Sequence, residues 1–189
     1  MYLKDMDFKN GIESNNIPEI DLYMDQVIQL FESELSILKR NKEDKVLTKT
    51  MVNNYAKGKL LLPIKNKKYS KEHLILMSLI YNLKGALSIN DIKISLNSLI
   101  NTENEKQNEH IRELYSVFLE EEKNTIEEFK IIINNKEAKI KMLVEENENL
   151  KTEYDEKFLL LCSLVNMSNM YRRASEKLID EYFSNTEGE

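Results

Sequence analysis

The sequence predicts an all-α protein, and three observations carry that expectation. Its 189 residues include 4 Gly and 2 Pro, too few turn formers for a sandwich or barrel, which needs one roughly every ten residues. Both prolines lie in the first 63 residues, and neither Gly nor Pro occurs between Gly85 and Gly188, so that long stretch reads as helix. Apolar residues also recur at helical spacing along most of the chain. The length suits one domain with its own core, or a small domain plus an extension.

Several classes are excluded at this level. The longest nearly apolar run, Phe158 to Val165, is far short of the ~20 residues of a membrane span. The N-terminus lacks the apolar core of a signal peptide. The single Cys162 cannot form an internal disulfide, and two histidines with one distant cysteine make no metal constellation. No Gly-rich phosphate loop, Cys-His or Ser-His-Asp grouping or distinctive carboxylate pair is present, so no catalytic residue, cofactor or metal is expected. The expected setting is the cytoplasm.

Charge is unevenly distributed. Residues 39 to 71 hold eleven Lys/Arg and two acids, so this window carries +9 in a chain of net charge −6. A basic block on an acidic protein is the electrostatic footprint of polyanion contact, and equally that of a lysine-rich solvated loop.

Three regions are expected: a flexible arm over 1–16, a domain over 17–100 and a helical region over 101–189. In the domain, Asp21 to Leu38 places Leu22, Val27, Leu30, Phe31, Leu35 and Leu38 on a first helix, with Pro18 and Asp21 as start signals. Thr48 caps a second helix, Lys49 to about Lys57, closed by Gly58. Lys65 to Lys68 is a tight loop or short hairpin. Ser70 caps a third helix with Leu74, Met77, Ile80, Tyr81 and Leu83 as its buried stripe, ended by Gly85. Ser88 caps a fourth, Ile89 to about Ile100. Beyond it, Ile111, Tyr115, Phe118, Ile126, Phe129, Ile133 and Ile140 form a loose heptad seam. Asn134-Asn135 and Glu145 to Asn149 are the weakest points of this long helix. A last helix, Phe158 to Phe183, carries Phe158, Leu161, Val165, Tyr171, Leu178, Ile179 and Tyr182 near one face, expected to pack back on the long one.

The informative stretch is TMVNNYAKGKLLLP (50–63) followed by KNKKYS (65–70). It resembles the winged helix-turn-helix of MerR-type regulators. Their second helix reads Thr-Leu-Arg-Tyr-Tyr and runs through Gly-Leu-Leu-x-Pro to a Gly-Tyr-Arg-Tyr-Tyr-Ser wing. Met51, Val52, Asn53, Asn54 and Tyr55 fall on the first motif. Leu60, Leu61 and Pro63 match outright, Lys67 falls on the wing arginine, and Tyr69 and Ser70 match. LSINDI (87–92) falls where that family has Gly-Phe-Ser-Leu-x-x-Ile. Asn53 and Asn54 replace the usual arginine and first tyrosine, and Lys65 replaces the wing glycine. With the opening IPEIDLYMDQV (17–27), this variant set is still more similar to the domain of unknown function 1836 family of Gram-positive bacteria. That resemblance covers about 17–100 well, and 110–183 more weakly through its LYxxFL-type and ID-E-Y-F-type helices.

The resemblance implies a MerR-like winged helix-turn-helix followed by long C-terminal helices, as a coiled coil or a bundle. It implies a DNA-binding transcriptional regulator acting as a homodimer on double-stranded DNA, with an unidentified small-molecule effector as an option. Asn53 and Asn54 are the candidates for base edges, since an amide pairs bidentately with adenine. Lys49 and Thr50 sit at the helix N-terminus for phosphate, and Lys57, Lys65, Lys67 and Lys68 supply salt-dependent phosphate contacts. Tyr55 and Tyr69 offer hydroxyls to phosphate, or pack between helix and wing. Tyr115, Phe118, Ile126, Phe129, Ile133 and Ile140 are the candidate dimerisation seam. His73 and His110 read as surface or capping residues. The alternative is a helical protein-interaction module that has lost DNA binding.

Overall fold

A computed structural model describes residues 6–101, 104–150 and 152–184. Helices dominate: α1 (Met24–Leu35), α2 (Lys49–Lys57), α3 (Lys71–Leu83), α4 (Ile89–Ile100), α5 (Glu105–Glu145) and α6 (Glu153–Leu178). The first four form a head, and α5 and α6 form an antiparallel hairpin that leaves and returns to it.

Local signals set most helix ends. Thr48 accepts the Met51 amide at 3.2 Å, Ser88 that of Asp91 at 3.1 Å, and Asn104 that of Gln107 at 2.8 Å, each satisfying an orphan donor of a first turn. The first helix starts later than its periodicity predicts. Leu22–Tyr23 is a short strand, β1, paired antiparallel with β2 (Lys68–Tyr69) in the register Leu22↔Tyr69. The main chain there is committed to a partner far along the sequence, and the Gln26 side chain caps the Tyr23 amide at 2.8 Å instead. After Leu35 the helix tightens into a 3-10 turn, Ser36–Leu38.

The core runs from Ile12 to Leu119 and centres on α3. Its residues from Glu72 to Ile80 are all buried, so α3 is enclosed on every side and not on a single stripe, as befits a helix whose LILMSLI run is apolar all round. One enclosing element is the N-terminal arm, which is not loose from Phe8 onward. Ile12 is fully buried, Phe8 meets the Phe129 ring edge-on at 5.0 Å, and Glu122 accepts the Asn10 and Gly11 amides at 2.7 and 3.0 Å. The arm crosses α5 closely at Gly11, where a Cβ would stand 2.5 Å from Leu119. Tyr115 locks the crossing. Its buried hydroxyl donates to the Ile12 carbonyl at 2.7 Å, accepts the Ile12 amide at 2.9 Å and meets the Ser78 hydroxyl at 2.8 Å. Burial first of all pushes this phenol up to about 12.

At 41 residues and 1.5 Å per residue, α5 is about 60 Å long. Asn134-Asn135 stays helical and the break falls after Glu145, the other weak point. The expected dimerisation seam is partly used inside one chain. Tyr115 belongs to the head core with Phe118 packed against it, Ile133 is fully buried, and Ile126, Phe129 and Ile140 are half-buried. On α6 the correction runs the other way. Phe158, Leu161, Val165, Tyr171, Leu178 and Tyr182 are exposed, and only Leu160 and Ile179 are buried. The helix lies against α5 through a face narrower than its apolar content suggests. It ends in a π-helical turn, Ile179–Phe183, which packs against α4.

Tyr115→Phe removes the donor to the buried Ile12 carbonyl and leaves the Ile12 amide only the Ser78 hydroxyl at 3.4 Å, and should lower stability by about 1–3 kcal/mol. Native-state hydrogen exchange checks this, because the Ile12 amide should lose its protection before the α3 amides do.

Candidate nucleic-acid interface

The basic stretch folds around a small number of anchors. On α2, Val52 and Tyr55 face the core, and burial first, then nearby Tyr81, pushes the Tyr55 phenol up. The residues at the complementary spacing, Lys49, Thr50, Asn53, Asn54 and Lys57, are all exposed. They share one face because a helix returns to the same side at i+3, i+4 and i+7. Lys49 pairs with Asp25 at 2.7 Å, with both side chains open to solvent, a contact worth little.

The helix end departs from the expected glycine cap. Gly58 has an ordinary φ of −73°, and it is Lys59 that turns left-handed at φ 56°. Gly58 is needed for room: a Cβ there would lie 2.9 Å from Leu60 and 3.1 Å from the Asn54 carbonyl. Leu60, Leu61 and Leu62 then plunge into the core, fixing where the following loop emerges.

That loop is a hairpin. Lys65 and Lys68 form a bridge, with the Lys68 amide donating to the Lys65 carbonyl at 2.9 Å. Asn66 and Lys67 both have positive φ, 52° and 59°, the signature of a type I′ turn, whose twist suits a two-residue hairpin. Lys65 and Lys67 are exposed, and Lys68 is half-buried with its ammonium 5.3 Å from the Tyr23 ring centre. Tyr69 is 4% exposed and stands edge-on to His73. It therefore serves the core, packed between the hairpin and α3, and leaves the candidate surface contacts.

The start of α3 braces the hairpin from behind. His73 Nδ1 accepts the Ser70 amide at 3.1 Å, so its proton sits on Nε2 and reaches the Leu62 carbonyl at 3.2 Å. His73 is thus a buried cap, whereas His110 is exposed. The Glu72 carboxylate, 3% exposed, accepts from Ser70 Oγ at 2.7 Å and from Arg112 of α5 at 2.6 Å. Arg112 also faces Glu19 at 3.8 Å, and Glu19 pairs with Lys71. Sequence reasoning missed this clasp, because its members come from the loop before β1, from α3 and from α5.

A family model described as a domain of unknown function (DUF1836) matches residues 12–118, more than half of the chain. The chain belongs to that family. No curated protein and no solved structure matches it. The matched segment of this DUF1836 protein begins at Ile12 and ends just past Tyr115, the two residues that close the head. Among the described residues no group of His, Cys, Asp or Glu is arranged to hold a metal ion, and no helix is long and apolar enough to cross a membrane.

Burial alone would raise the Glu72 carboxyl, but Ser70, its own backbone amide and Arg112 outweigh it and hold it below the ordinary 4.5. A depressed folded-state value stabilises above the unfolded value, and that stability is lost as pH falls through the folded value. Acid unfolding should therefore steepen as pH falls below the ordinary 4.5 and flatten in Glu72→Gln. Arg112→Ala should cost about 1.5–3 kcal/mol at neutral pH, read by denaturant titration.

Proposed function

We propose that this DUF1836 protein is a DNA-binding transcriptional regulator, reading duplex DNA as a homodimer through a MerR-like winged helix-turn-helix. The observation that carries the reading is one exposed face of α2 bearing Lys49, Thr50, Asn53, Asn54 and Lys57, next in the chain to a basic type I′ hairpin. A helix of that size fits the major groove, where amides pair with adenine edges and lysines with phosphates. In this reading α2 is the recognition helix, the 65–68 hairpin is the wing, and Val52, Tyr55 and Tyr69 hold both in register. The homodimer needs a surface other than the α5 seam. Tyr154, Phe158, Leu161 and Val165 on α6 supply one, at heptad spacing and 71, 49, 55 and 51% exposed.

The same α6 face favours the second reading, a helical module that engages a different protein and no longer binds DNA. Large exposed apolar side chains in a row mark an interaction surface without specifying what covers it.

Selection from a random duplex pool across a salt series separates the two. The regulator reading expects an enriched inverted repeat and a steep salt slope. Asn53→Ala should relax sequence preference at one position of each half-site. Lys67→Gly removes one charge per protomer yet suits a type I′ turn, so in the homodimer it should weaken binding to every sequence and reduce the salt slope by about 2 without loss of thermal stability. Wild-type affinity and slope in both variants would reject these roles, and absence of any enriched sequence would favour the interaction module.

A further inference from the structure

The hairpin does not close evenly on the head. α6 is buried at Leu160 near the hairpin tip and the π-helical turn that follows it is buried at Ile179 against α4, and no residue between them is buried. Beneath this arch lies a cleft of about 730 Å³, walled by α5, α6, the arm and the end of α3. Protein interiors normally pack out such volumes, and clefts of 300–1,000 Å³ are the size that takes one small organic molecule. Its floor is apolar: Ile126 and Phe129 from α5 face Leu164 and Met167 from α6, all four half-buried. Aromatic rings of Phe118, Tyr171 and Phe8 complete the walls.

The charges around this floor are unbalanced. Arg172, the cation of the lining, is held at 2.6 Å by Glu176. Glu122 is engaged by the arm amides of Asn10 and Gly11. Glu121 and Glu128 line the same cleft and have no ion pair among the described residues. An apolar, ring-lined cleft whose uncompensated charges are carboxylates is complementary to a flat aromatic cation, which gains from burial, from ring faces and from the acids together.

We propose that this cleft is a ligand site for a small aromatic cation, held by the α5 and α6 side chains above with Glu121 and Glu128 as its counter-charges. The arm and the end of α3 form part of the wall, so occupancy bears on the head as well as on the hairpin. Any effect on DNA rests on the regulator reading; binding itself does not.

The test is fluorescence titration of the full chain, without DNA, at pH 8. The probes are N-methylacridinium, uncharged acridine of nearly the same shape, and acridine-9-carboxylate. The cation should bind with Kd in the micromolar range, at least tenfold tighter than acridine, and the anion should not bind. Glu121→Gln/Glu128→Gln should weaken the cation about tenfold while leaving acridine unchanged. Glu148→Gln, at the exposed turn between α5 and α6, should change neither. Circular dichroism confirms that the variants fold. Equal affinity for cation and acridine, equal affinity in the double variant, or no binding of the cation at millimolar concentration overturns the proposal.

Discussion

One buried hydroxyl joins three parts of this protein that are far apart in sequence. Tyr115 lies on α5, Ser78 in the middle of the enclosed α3, and Ile12 on the arm, and the phenol bonds to the Ile12 carbonyl, the Ile12 amide and the Ser78 hydroxyl. Unsatisfied polar groups in so dry a place are expensive, so the arrangement is all or nothing: the arm is home with both Ile12 groups paired, or it is away and α3 is uncovered. The position of α5, and with it the whole hairpin, follows from this contact. The Glu72–Arg112 clasp repeats the logic one turn earlier on α5 and ties in the ground behind the hairpin of residues 65–68.

What could be read from the sequence was what neighbouring residues decide. Thr48, Ser70 and Ser88 announce helices because capping is an affair of three or four residues, and Pro63 together with Gly58 marks an exit. The β1–β2 pairing was not legible, since Leu22 and Tyr69 carry no mark that they belong together. The arm was not legible either: Phe8, Gly11 and Ile12 are too few to make a pattern, and their partners are more than a hundred positions away. Periodicity located α5 and α6 but not their facing sides. Of the α5 seam, Tyr115 and Ile133 are buried within one chain, and the apolar residues of α6 are largely left in solvent. An apolar stripe reports that something must cover it and is silent about what.

The candidate surface divides along the same line. The five α2 residues share one exposed side because helical spacing alone requires it once Val52 and Tyr55 point inward. The turn type at Asn66-Lys67 depends on backbone angles that a lysine-rich string does not advertise. Tyr69 shows the limit of motif matching. Its position in the motif is kept, and its side chain is given to packing. The cleft under α6 had no trace in the sequence at all, because it arises from two helices being anchored at their ends and not between.

The arm has a consequence for how the chain is made. Ile12 leaves the ribosome ahead of the phenol it needs, which follows 103 positions later. At a synthesis rate of about 5–20 residues per second, the interval is roughly 5–20 s. During that time α1 to α4 can form their local turns, but α3 must wait with an apolar flank uncovered. The nascent head is therefore complete only when the first turns of α5 arrive.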